Sequence, residues 1–128
     1  MLYYLIFKQD ESKDMPAIKY SFNAKNEDDV WKFLLTNIDE YFEDEMIFFY
    51  KDLVDNDCTK DSSDDMTRKE LKLLKKVEVS EFKNYMEGFN EDDSPDSYFL
   101  LSEESKEYKM LLKMKLVKKN KSDPIEVE

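Results

Sequence analysis

The chain has 128 residues, of which 41% are hydrophobic and 14% aromatic, including nine Phe and eight Tyr. That length leaves too little apolar surface for two separate cores, so one core is expected, and the aromatic content argues against general disorder. Acidic residues outnumber basic ones 31 to 20, for a formal net charge of −11, and the chain holds no histidine, one glycine and one cysteine.

These absences exclude much chemistry. Without histidine there is no Ser-His-Asp or Cys-His arrangement and no usual general base, and with Cys58 alone there is neither a common zinc site nor an internal disulfide. Phosphate-cradling loops need closely spaced glycines, and Gly88 stands by itself. No cofactor is expected, and no spacing of Tyr, Lys or Cys nominates a catalytic residue, so the chain does not read as an enzyme. No apolar run approaches the roughly 20 residues that span a bilayer, and Leu2 to Phe7 lacks the basic lead-in and cleavage site of a leader. A soluble, cytoplasmic protein without a membrane partner is expected. Cys58 lies in a polar stretch and reads as an incidental surface thiol. Lysine outnumbers arginine nineteen to one while Asn, Asp, Tyr, Phe and Ile are frequent, the pattern of AT-rich coding DNA, as in an AT-rich bacterium or a virus of one.

In chain order, Leu2 to Lys8 reads as a largely buried strand, and Ala17 to Ala24, alternating Ile18, Tyr20 and Phe22 with polar residues, as a half-buried one. The polar link from Gln9 to Pro16 would make them a hairpin. Asn26 followed by Glu27, Asp28 and Asp29 is a helix start. Val30, Phe33, Leu34, Ile38, Tyr41 and Phe42 give that helix one apolar face, with Trp31 and Leu35 at its margin. Met46 to Val54 suits a short strand or, preferably, a second helix. Asp55 to Asp65 reads as an exposed acidic loop, Thr67 to Val77 as a short amphipathic helix, and Ser80 to Gly88 as another. After a second acidic loop, Glu91 to Ser97, a strand is expected over Tyr98 to Leu101. The alternation of Tyr108, Met110, Leu112, Met114 and Leu116 with lysines predicts its hairpin partner. The predicted fold is α+β: a mainly antiparallel sheet of about four strands, built from an N-terminal and a C-terminal hairpin, with two to four helices on one face. Residues 1–118 would form the domain and 119–128 a polar tail.

Carboxylates are the remaining functional resource. Asp55, Asp57, Thr59 and Asp61 mimic the alternate ligands of a calcium loop, but Lys60 stands where that loop needs glycine and Met66 where it needs a bidentate Glu, so no metal site is expected. Between Asp39 and Asp65 eleven carboxylates face only Lys51 and Lys60, whereas residues 106–128 hold seven Lys against four acids. Such a field repels nucleic acid and favours a basic protein surface. The expected contact residues are Asp39, Glu40, Glu43, Asp44, Glu45, Asp52, Asp55 and Asp57, with Tyr41, Phe48, Phe49 and Tyr50 as nearby aromatic anchors. The expectation is an inhibitor of a basic, nucleic-acid-processing enzyme, such as a phage protein acting on a CRISPR effector nuclease. Alternatives are an immunity protein for a bacterial toxin, or an assembly subunit that self-associates through strand edges.

Overall fold

A computed structural model describes residues 1–9, 17–61, 64–88, 96–113 and 123–127. The residues that build its sheet begin with Tyr3, Tyr4, Leu5 and Ile6, four consecutive side chains that are all buried. A strand apolar on both faces belongs in the middle of a sheet, and β1 (Leu2–Gln9) occupies that place. It pairs antiparallel with β2 (Ala17–Asn23) on one side and β3 (Asp96–Ser102) on the other. A two-residue strand, β4 (Ile125–Glu126), runs parallel to β2, giving the order β3-β1-β2-β4.

Register places Tyr4 and Ile6 beside Leu101 and Phe99, while Tyr3 and Leu5 stand opposite Phe22 and Tyr20. Between Leu5 and Ile6 the pairing with β2 slips, from Tyr20 to Ile18, so Lys19 is an extra residue in a bulge. Its ammonium lies 5.1 Å from the Phe7 ring centroid. The Tyr4/Ile6 face is covered by α6 (Lys106–Lys113), whose Tyr108, Leu111 and Leu112 pack with Ile18, Phe99 and Leu101. Tyr108 stacks on Tyr4 with ring centroids 4.4 Å apart and planes 8° apart. Leu5, Phe22, Tyr98 and Leu100, on the opposite face, are buried as well.

Several expectations are corrected here. The sheet is mixed, because β4 is parallel to β2. The C-terminal hairpin does not form: β3 pairs with β1, and the segment predicted as its partner is the helix α6 as far as Lys113. The cause is local and tertiary together. Ser105 caps the helix, its Oγ accepting from the Tyr108 N–H at 3.2 Å, and Tyr108, Leu111 and Leu112 also fall at helical spacing, which brings all three onto the Tyr4/Ile6 face. Burial on both sides of β1 likewise replaces a sheet covered on one face. Residues 10–16, 89–95 and 114–122, which include the predicted β1–β2 connection, most of the second acidic loop and the end of the predicted last strand, lie outside the described residues.

Six helices occur among the described residues. Asn26 caps α1 (Glu27–Thr36), its Oδ1 accepting from the Asp29 N–H at 2.9 Å. The long helix expected through Phe42 is broken at Asn37, whose backbone leaves helical geometry (φ −112°, ψ 32°) and whose side chain donates to the Phe33 carbonyl. A short α2 (Ile38–Tyr41) and a 3-10 turn (Glu43–Glu45) follow. Trp31 and Leu35 are both buried, so they widen the apolar face rather than mark its edge. Met46 to Val54 is helical, as α3 (Met46–Leu53), and the two remaining helices are α4 (Arg68–Lys75) and α5 (Val79–Gly88).

The described residues divide into two compact units, Met1–Val30 with Asn84–Glu128, and Trp31–Lys83, the divisions falling within α1 and α5. The first holds the sheet and α6. The second is held by edge-on aromatic contacts: Phe82 meets Trp31 at 5.9 Å and Phe49 at 6.3 Å, and Phe49 meets Phe42 at 5.7 Å.

Burial first, then the hydrogen bond to Tyr4, and then the charges of Tyr4 and Glu103 hold the Tyr108 phenol well above its ordinary value of 10.0. A raised folded value means that this stabilisation is intact below the unfolded pKa and is lost as pH rises through the folded one. In urea titrations, Tyr108→Ala should cost about 3 kcal/mol and Tyr108→Phe, which keeps the stack, about 1 kcal/mol. Tyr108→Phe should also remove part of the loss of stability in alkali.

Candidate functional site

The acidic stretch takes its shape in the second unit. In α3, Ile47, Phe49 and Tyr50 are buried, while Met46 and Leu53, at helical spacing from Tyr50, are half-buried. Phe48 lies on the other flank and is 52% exposed. Before the helix, the 3-10 turn carries Glu43 and Asp44, both exposed. Together with Met46, Ile47 and Phe48 from the first turn of α3, and with Asp64, Asp65 and Met66 from the segment before α4, they line an open groove of about 540 Å³. Four carboxylates thus line one groove together with aromatic, aliphatic and thioether side chains.

One side of the groove is fixed by Lys60. Its Nζ donates to the Asp65 carbonyl at 2.6 Å and pairs with Glu70 at 2.9 Å. Glu70 in turn accepts from the Thr67 N–H at 2.9 Å while its own N–H donates to Thr67 Oγ1 at 3.1 Å, a reciprocal cap that opens α4. The hydrogen bond to Glu70 raises the Lys60 pKa. Donation from the Thr67 backbone, and then from Lys60, lowers that of Glu70. Tyr50 is pushed up by its burial and then by the nearby charges of Glu70 and Asp55. On the groove itself, no cation among the described residues pairs with the carboxylates of Glu43, Asp44, Asp64 or Asp65.

Of the eight carboxylates expected at a contact surface, Glu43 and Asp44 line the groove. Asp39 and Glu40 are exposed on α2, where Asp39 pairs with Lys75 at 3.0 Å. Glu45 is half-buried, and Asp52, Asp55 and Asp57 are exposed on or just after α3 without lining the groove. Asp55 accepts from the Asp57 N–H at 3.0 Å, folding that pair into a local turn. Of the four aromatic anchors, Phe49 and Tyr50 are buried and Tyr41 packs on Phe33, which leaves Phe48 as the exposed one. Asp64, Asp65, Met46 and Met66 were not singled out as contact residues. A helix from Thr67 was expected, but nothing local shows that the residues before it stand beside Glu43.

Among the described residues no group of three or more His, Cys, Asp or Glu is placed to hold a metal ion. The stretch that mimics a calcium loop uses its groups otherwise: Lys60 is tied to Glu70 and Asp65, and the Asp61 N–H donates to Asp64 at 2.8 Å. No helix among those residues is long and apolar enough to cross a membrane. Comparison finds no matching family model, no matching curated protein and no matching solved structure.

Glu70 has a lowered folded pKa, so its contribution is present above the ordinary carboxylate range and is lost as pH falls through the folded value. Unfolding followed across acidic pH should show a flatter acid limb for Glu70→Gln than for the parent. At neutral pH, Thr67→Ala should cost about 1 kcal/mol.

Proposed function

We propose that this chain is a protein-binding inhibitor, not an enzyme, and that its groove receives a basic segment of a nucleic-acid-processing enzyme. The observation that carries this reading is the pairing, in one open groove, of an exposed aromatic ring, Phe48, with four carboxylates that form no ion pair among the described residues. Carboxylates steer a cationic surface and set its register, while an exposed aromatic among methionines gives the apolar contact that holds it. Enzymes that handle nucleic acid carry the most extended cationic surfaces in a cell, because they must neutralise phosphates. A carboxylate-lined groove competes for those same lysines and arginines. An effector nuclease of a bacterial CRISPR system, met in the host cytoplasm by a phage-encoded chain, is the case this proposal has in view.

The test joins capture to activity. Immobilised parent chain, Glu43→Lys with Asp44→Lys, and Phe48→Ser are each exposed to lysate of the native host, and captured enzymes are assayed on nucleic acid with and without added chain. The proposal expects a basic enzyme on the parent alone, released by high salt, whose activity falls at least tenfold (about 1.4 kcal/mol) when the chain is added. Capture of no such enzyme, or of one that stays fully active with the chain bound, would overturn it.

A further inference from the structure

α4 is anomalous in so acidic a protein. Arg68, Lys69, Lys72 and Lys76 are all exposed, and they fall at positions that bring them onto one side of the helix and its C-cap. Leu73, 42% exposed, lies at the margin of this stripe, beside Lys69 and Lys76. The remaining charges of this helix are engaged elsewhere: Glu70 holds Thr67 and Lys60, and Lys75 holds Asp39. Among the described residues none of the four stripe cations has an ion-pair partner. The stripe and the groove therefore carry matched features of opposite sign: four cations beside an exposed aliphatic side chain, and four carboxylates in one groove with an exposed aromatic one.

We infer that the groove of one copy binds the α4 stripe of a second copy, with Leu73 set against Phe48. The occupant is chosen by charge complementarity. The other basic helix face, Lys106, Lys109 and Lys113 around Met110 on α6, has one cation fewer and is flanked by the exposed carboxylates of Glu103, Glu104 and Glu107. The net charge of −11 opposes association only weakly at physiological salt, where screening acts over about 8 Å, whereas facing groups in the contact meet at much shorter range. Because groove and stripe are different surfaces, the contact is head-to-tail, and each added copy leaves one groove and one stripe open for the next. Self-association stands independently of the inhibitor reading, since it needs no other protein.

Light scattering and sedimentation velocity on the purified full chain test it. At physiological salt the weight-average mass should rise with concentration, and at high salt it should return to that of one chain. Lys69→Glu with Lys72→Glu and Lys76→Glu should remain monomeric, as should Glu43→Lys with Asp44→Lys and Asp65→Lys, while an equimolar mixture of the two should associate again. A charge-matched control, Lys106→Glu with Lys109→Glu and Lys113→Glu, should associate as the parent does, and Phe48→Ser, which leaves every charge in place, should weaken association at least tenfold. A parent chain that stays monomeric at physiological salt would overturn the inference. So would a mixture that fails to associate although both variants keep the parent's circular dichroism, or a control that loses association as fully as the stripe variant.

Discussion

Charge has to be kept out of the interior, and 40% of this chain is charged. Ser21 is the one buried polar residue among the side chains described, and the carboxylates, lysines and arginine among those side chains all reach at least partial solvent. A core must then be assembled from what remains, and that material is largely aromatic. Stacked or edge-on rings occupy both units: Tyr4 on Tyr108 in the first, and Trp31, Phe42, Phe49 and Phe82 in the second. Large rings bury much area per residue, which suits a chain with few residues free to go inside. The same constraint shapes the surface. Carboxylates excluded from the core crowd together outside it, and where a turn and a helix start bring them around exposed apolar side chains, a groove results.

Legibility in the sequence followed how local the governing interaction was. The capping signal at Asn26 identified one helix start, because a cap involves neighbours three residues apart, whereas the reciprocal cap of Thr67 and Glu70 emerged only with the structure. The apolar run from Tyr3 to Ile6 identified a largely buried strand, and the periodicity of Val30, Leu34 and Ile38 an apolar helical face; the central place of that strand came only with its pairing to β3. The break at Asn37 was hidden, since the pattern continues through it while the asparagine side chain and backbone end the helix. At Tyr108 to Lys113 two periods coexist. Alternation counts Tyr108, Met110 and Leu112, whereas helical spacing counts Tyr108, Leu111 and Leu112. Packing decides between them, because only the helix brings the latter three together on Tyr4 and Ile6 and leaves Met110 60% exposed. β4 carries no pattern to read, being two residues defined wholly by their pairing with Phe22 and Asn23.

The groove divides in the same way. That the stretch from Asp39 to Asp65 is acidic is plain in the composition, and Phe48 could be named as one aromatic of four. Its exposure, and the meeting of Glu43 and Asp44 with Asp64 and Asp65 some twenty residues later, depend on the chain returning to α3 before α4 begins. Lys60 decides that return by holding the Asp65 carbonyl and the first turn of α4 together. A lysine in a loop announces nothing of the kind until its partners are known.

The placement of the aromatics has one more consequence. Trp31 is the only tryptophan, it is fully buried, and it belongs to the unit of Trp31–Lys83, whereas the stacked pair of Tyr4 and Tyr108 belongs to the other. Indole emission therefore reports, without any label, on the packing around Phe82, while the part of the near-ultraviolet dichroism that Tyr108→Phe removes reports on the sheet and α6. The chain carries a separate optical gauge in each unit, and comparing the two through a single denaturation tells whether they melt as one or in sequence.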